Sequence, residues 1–137
     1  MFANPDPESI CRMLRQVRCI AVVGLSPKPH RPSFRIARAL QRFGFRVIPV
    51  RPAQTELLGE RAYARLTDVP EPIDLVDVFR APEYVDEIVD QCLAMGIPRL
   101  WLQDGVVNEP AALRARAGGI QVVMDRCITR DYSALCA

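Results

Sequence analysis

CIAVVGLSPKPHRPSF, residues 19–34, decides the fold. Ile20, Ala21, Val22 and Val23 make a short apolar run without a polar break, the pattern of a strand buried on both faces. Gly24 follows at once, then Ser26, then a polar loop with Pro27, Pro29 and Pro32 set around Lys28, His30 and Arg31. After Ser33 the apolar period becomes helical. A strand, a glycine turn, a polar loop and a helix start gather backbone N–H groups and the positive end of a helix dipole around one point, which suits a phosphate. An ordinary strand-to-helix connection carrying surface charge would read the same way, so the stretch settles the topology before it settles a ligand.

Working outward, Asp6 and Pro7 start an N-terminal helix within residues 1–18, with Ile10, Met13, Leu14 and Val17 on one face. The helix after the first strand starts near Ser33 as its cap, buries Ile36, Ala37, Leu40 and Phe43, and stops at Gly44. Residues 45–50 form a second strand, although Pro49 removes one ladder hydrogen bond and a central strand should not hold it. Residues 57–65 are poorly patterned, and 66–69 form a short helical turn. The third strand, 73–79, is apolar apart from Asp74 and Asp77. A helix follows with Val85, Ile88, Val89 and Cys92 in its stripe and Gly96 as its stop. Residues 100–103 are the fourth strand, Asn108 caps a helix that closes at Gly118 and Gly119, and 120–124 are the fifth strand. A short polar tail occupies 128–137.

Five strands alternating with helices predict an α/β fold: one doubly wound, Rossmann-like domain over residues 1–137 with a five-stranded parallel sheet in the order 3-2-1-4-5. Ligands in such sheets bind beyond the carboxyl ends of the strands where the order reverses. That reversal is expected between the first and fourth strands, at loops 24–33 and 103–108, with Arg51 and residues 79–82 alongside.

Composition narrows the function. The 137 residues carry a formal charge of +2, too small for a nucleic-acid binder, and the basic residues are not interleaved with aromatics. No apolar run approaches the roughly 20 residues of a membrane span, and MFANPDPES lacks the pattern of a signal peptide. Five cysteines without a CxxC pair read as thiols of a reducing cytoplasm, not as a disulfide framework or a zinc site. No metal site is expected.

The dinucleotide fingerprint needs three spaced glycines and an acidic residue near the end of the second strand. Here only Gly24 is present, Ser26 replaces the second glycine, and Arg51 stands in the acidic position. An arginine there would pair with a phosphate on the ribose, so plain NAD is disfavoured while NADP and coenzyme A both remain.

VVGLSPKPHRPSFRIARAL, FRVIPVRP, IDLVDVFRAPE, LWLQDGVVNEPAALRARAGG and the closing VVMDRC together resemble the small CoA-binding proteins, single Rossmann-like domains similar to the CoA-binding domain of succinyl-CoA synthetase and related acyl-CoA ligases. The resemblance runs from about Cys19 to Cys127. It implies coenzyme A as the ligand and implies no reaction. By position it sets the pyrophosphate against Gly24, Leu25, Ser26 and the helix start near Ser33, with Lys28 and Arg31 as cationic neighbours. It sets the adenosine ribose and 3′-phosphate at Arg51 and Pro52, the adenine beside Phe79, Arg80 and Pro82, and the pantetheine toward Gln103, Asp104 and Gly105. The family often carries Asn before Pro where this chain has Arg51.

The expected function is capture of CoA or an acyl-CoA by a non-catalytic module, alone, as a homodimer or beside a protein partner. The rival readings are a small NADP-dependent oxidoreductase and an interaction subunit with a vestigial nucleotide site. Cys127, beside Arg126 at the end of the fifth strand, reads either as a small buried hydrophobe or as a thiol able to form a mixed disulfide with CoA. His30 has no nucleophile or carboxylate pair placed with it, so no catalytic residue is assigned. Asp74 and Asp77 read as structural, Trp101 as core, and Asp125 as a cap or a partner of Arg126.

Overall fold

The computed structural model describes residues 1–136. Helix α1 (Pro7–Arg15) is capped by Asp6, whose side chain accepts the Ser9 amide at 2.8 Å. The main sheet is made of β1 (Cys19–Val23), β2 (Arg46–Val50), β5 (Leu75–Val78), β6 (Arg99–Leu102) and β7 (Gln121–Met124), all parallel. A small antiparallel pair, β3 (Glu56–Leu57) and β4 (Glu60–Arg61), stands apart from it. The helices between are α2 (Pro32–Arg42), α3 (Val85–Met95), α4 (Glu109–Ala117) and α5 (Ile128–Leu135). Single 3-10 turns cover Leu66–Asp68 and Pro82–Tyr84.

Alternation along the strands divides the core in two. Ile20, Val22, Leu75, Trp101 and Val123 face α1, α2 and α5, while Ala21, Val23, Val76, Val78, Leu100 and Leu102 face α3 and α4. This is the doubly wound class the sequence predicts. Both faces of β1 are buried, as its unbroken apolar run requires.

The strand order is β2-β1-β5-β6-β7, or 2-1-3-4-5 when only the main strands are counted. The expected 3-2-1-4-5 is corrected at one strand: the third lies between the first and the fourth, not outside the second. Proline supplies the physical reason. Pro49 sits inside β2, and β2 is an edge strand, where a missing N–H is tolerated. Beyond Pro49 the edge is shielded by the chain itself, because Tyr63 donates to the Pro49 carbonyl at 3.0 Å and accepts from the Arg51 amide at 2.8 Å. The opposite edge is met by Asn4, whose side chain bonds both the amide and the carbonyl of Met124. The order now reverses between β1 and β5.

Three local expectations are also revised. Residues 128–135 form α5, not a tail; Ile128 is buried and Tyr132 packs on the core. Position 137 lies outside the described residues. Helix α2 begins at Pro32 with Arg31 at its cap position and no side-chain cap, so Ser33 is not the cap. Asp125 does not pair Arg126; it accepts the Gly105 amide at 2.7 Å, and Arg126 pairs with the buried Asp131. No helix of the described residues is long and apolar enough to cross a membrane.

The two strand aspartates differ sharply. Asp74 accepts the amides of Arg18 and Cys19 at 3.0 and 2.9 Å, which ties the entrance of β1 to that of β5. Asp77 is fully buried, and neither carboxylate oxygen has a hydrogen-bond partner among the described residues. Burial pushes its carboxyl well above the ordinary value of 3.8, with the Cys127 thiol adding to the shift.

Two predictions follow from these strands. Above pH 3.8 the unfolded chain releases the Asp77 proton and the folded chain keeps it, so this residue drains stability as pH rises through that value. Asp77→Val should therefore stabilise the fold by about 1–3 kcal/mol at neutral pH, and the gain should shrink below pH 3.8, which thermal melts across that range will show. At the end of β1, Gly24 has φ +86°, and an added Cβ would come within 3.1 Å of the Phe79 carbonyl oxygen and of Arg80 Cγ. Gly59 has φ +75° and open space around it. Gly24→Ala should cost more stability than Gly59→Ala by roughly 1 kcal/mol or more in denaturant unfolding, because only the first adds a clash to the backbone strain.

Candidate functional site

The carboxyl ends of β1 and β5 send their chains to opposite faces of the sheet. From β1 the chain enters α2 on one face; from β5 it enters α3 on the other. Two clefts open there, of about 680 and 370 Å³, and they meet at Gly24 and Arg51, which line both.

The larger cleft lies under the start of α2. Gly24, Ser26, Lys28, Arg31, Ser33, Arg51, Phe79, Gln103 and Asp104 line it, so nine of the ligand-contact candidates from the sequence converge there. Ser33 has a different task from the one its position suggested. Its hydroxyl accepts the Ser26 amide at 2.9 Å, and the Ser26 hydroxyl accepts the Lys28 amide at 3.2 Å. These bonds shape the loop and also use up the Ser26 N–H. The anion-attracting element that remains is the first turn of α2, which has no side-chain cap and no acidic residue.

The smaller cleft lies against α3. Arg51, Pro52 and Arg80 line it, together with Arg65, Leu66, Tyr84 and Ile88. The Arg80 guanidinium lies over the Tyr84 ring, 3.8 Å from its centroid, which holds the side chain at the cleft wall.

Of the cations at the clefts, Arg65 pairs with Asp68 and the others stand without carboxylates, as several arginines elsewhere on the surface also do. Arg46, Arg114, Arg126 and Arg130 each pair with carboxylates. Lys28, Arg31, Arg51 and Arg80 form no ion pair among the described residues. Four unpaired cations around two joined cavities can hold a ligand bearing more than one anionic group.

Three expected residues stand back from the clefts. The Leu25 side chain is in the core. The Pro82 carbonyl accepts from Asn108 at 3.0 Å. Gly105 has φ +81° and donates to Asp125. Its neighbour Asp104 lines the larger cleft and holds Arg130 through two bonds of 2.9 and 3.0 Å, which keeps the Asp104 carboxyl below its ordinary value. His30 is exposed and offers its carbonyl to the Arg35 guanidinium. No cluster that could hold a metal ion occurs among the described residues.

Sequence reasoning missed Ile36 and Val106 in the larger cleft, and Ala64, Arg65, Leu66 and Tyr84 in the smaller one. Ala64 and Arg65 gave no periodic signal because they lie between the Tyr63 bridge to β2 and the 3-10 turn at Leu66–Asp68, outside any regular element.

The chain is 39% identical over 125 residues to the protein YneT of Bacillus subtilis strain 168, an alignment covering 91% of this chain and 93% of that one. A solved hypothetical protein from Pyrococcus horikoshii OT3 superposes with a TM-score of 0.92 at 32% identity, covering 98% of this chain and 97% of the other. The acetate–CoA ligase (ADP-forming) II of Archaeoglobus fulgidus is 28% identical over 82 residues, which are 58% of this chain and 12% of that enzyme. The family model described as the CoA binding domain matches residues 18–133, and the chain belongs to that family.

Proposed function

We propose that the protein binds coenzyme A or an acyl-CoA and acts as a non-catalytic nucleotide-binding module. The observation that carries this reading is the pair of clefts joined at Gly24 and Arg51 and bordered by four cations without carboxylate partners. CoA is long, and its anionic charge sits in two places, the pyrophosphate and the 3′-phosphate. Gly24 supports the fit, since a side chain there would fill the junction of the clefts and strike the Phe79 carbonyl.

In this reading the pyrophosphate lies by Gly24, Ser26 and the open first turn of α2, with Lys28 and Arg31 as its cations. The amide of Leu25 adds a backbone donor while its side chain anchors the loop in the core. Arg51 and Pro52 meet the ribose and its 3′-phosphate, and Phe79 and Arg80 flank the adenine. Pro82 and Gly105 act from behind, by holding Asn108 and Asp125. Gln103 and Asp104 border the pantetheine end. A bound CoA would supply a thiol for carrying acyl groups; this chain's residues bind and orient it, and none is assigned a catalytic part.

Calorimetry with CoA, dephospho-CoA and NADP tests the reading. CoA should bind most tightly. A preference for NADP would support a small oxidoreductase instead, and silence from all three would leave an interaction subunit with a vestigial site. Charge-assisted bonds to a phosphate contribute roughly 1.5–3 kcal/mol each, so Arg51→Glu should weaken CoA by about tenfold or more while leaving dephospho-CoA much less affected. Equal losses for both ligands would remove Arg51 from the 3′-phosphate.

A further inference from the structure

We infer that the larger cleft accepts CoA and thioesters of uncharged acyl groups and rejects acyl groups that end in a carboxylate, because Asp104 and Asp125 bound the end where the acyl group emerges. This rests on the CoA reading and names the class of acyl group that the same site takes.

The strand order gives the cleft a direction. In the order β2-β1-β5-β6-β7, the residues that follow the first four strands and line the cleft are Arg51, Gly24, Phe79 and Gln103. Neighbouring strands lie about 4.8 Å apart, so Arg51 and Gln103 stand roughly 14 Å from each other along the strand ends. Charge is divided along that line. The chain after β2 and β1 supplies Arg51, Lys28 and Arg31, none of them in an ion pair among the described residues. The chain after β6 supplies Asp104, the one carboxylate among the residues lining the cleft. The next strand, β7, is followed by Asp125, which is exposed and forms no ion pair among the described residues.

Donors at that end are already engaged. Asp104 holds both terminal nitrogens of Arg130, at 2.9 and 3.0 Å, and Asp131 holds Arg126. The Gly105 amide donates to Asp125 Oδ1 at 2.7 Å, and the Val106 amide donates to the Gln103 carbonyl at 2.9 Å. The hydrogen bonds from Arg130 also hold the Asp104 carboxyl below its ordinary value of 3.8, so Asp104 stays charged throughout the neutral range. Three carboxylates, Asp104, Asp125 and Asp131, thus face two guanidinium groups, and the exit keeps an excess of negative charge.

Ligand length brings the acyl group to this point. With the pyrophosphate by Gly24, the pantetheine arm runs past Phe79 to Gln103, two strand gaps or about 10 Å. Stretched, the arm is about as long as four residues of extended chain, roughly 14 Å, so its sulfur reaches the rim at Asp104 and Asp125. An uncharged acyl group there borders the apolar Val106 and has no charge to oppose it. An acyl carboxylate would meet two ionised carboxylates and no cation to spare. Arg51 stands too far back to offset them, since the Debye length is about 8 Å at physiological ionic strength.

Calorimetry on the full chain with CoA, butyryl-CoA and succinyl-CoA tests this, because the two acyl groups are nearly equal in size and differ in one carboxylate. Butyryl-CoA should bind within about threefold of CoA, and succinyl-CoA at least about fivefold more weakly than butyryl-CoA at low ionic strength. That ratio should fall to within about twofold in roughly 0.5 M salt, a measurement that needs no variant. Asp104→Asn combined with Asp125→Asn should close the gap at low salt. Arg130→Gln, which leaves Asp104 without its cation, should widen it. Each variant is read as a ratio of two affinities, so a general loss of binding cancels. Equal affinity for both thioesters, a gap that survives both in salt and in the double variant, or binding of CoA without either thioester would overturn the inference and leave the CoA reading in place. Binding of none of the three would remove the CoA reading as well.

Discussion

The close approach of Gly24 to the carbonyl of Phe79 governs this molecule. Strand β1 is hydrogen bonded on both sides, to β2 and to β5, and its last residue leads straight into a left-handed glycine. The turn sends the chain up over one face while its neighbour β5 leaves toward the other. Because no side chain stands at the junction, the two divergent connections leave one continuous space and not two separated dimples. The Gly24 amide also bonds the Val50 carbonyl at 3.0 Å, so the same residue fixes where β2 ends and Arg51 begins. Gly24 thus positions elements from three strands at one point.

Charge follows from that geometry. A phosphate-binding loop needs donors that are not already spent, and here the spending can be traced. Ser33 takes the Ser26 amide and Ser26 takes the Lys28 amide, so the loop is stiff but poorer in free N–H groups than a glycine-rich one. The deficit is offset by side-chain cations and by the uncapped start of α2. Such an arrangement trades backbone recognition for longer-range attraction. In the CoA reading proposed above, selectivity would then fall on Arg51 at the ribose end.

The apolar runs made the five strands and most of the helices legible, because β-branched clusters and helical spacing are local signals. Strand order is not local, and it was read incorrectly at the third strand even though Pro49 carried the needed information: a proline that cannot sit in a central strand marks an edge. Helix α5 was missed because Thr129, Arg130 and Asp131 look like a solvated tail; its burial comes from Ile128 and Tyr132 meeting α1 and α2, contacts that only the fold creates. The larger cleft was legible because its residues cluster at strand ends. The smaller one was legible only at Arg51, Pro52 and Arg80, since the rest of its wall is shared between the irregular stretch at 64–66 and one face of α3.

Asp77 presents the sharpest conflict between local structure and function. Its neighbours on the same face are Val22, Leu75 and Trp101, and a valine there would continue the strand with less cost. A carboxyl in that row must lose its charge to stay, and it gains no hydrogen bond in return. Surface charges can persist without purpose because water solvates them; a group one pleat below a cleft floor has no such shelter. Its cost is fixed by burial, and no hydrogen bond among the described residues offsets it.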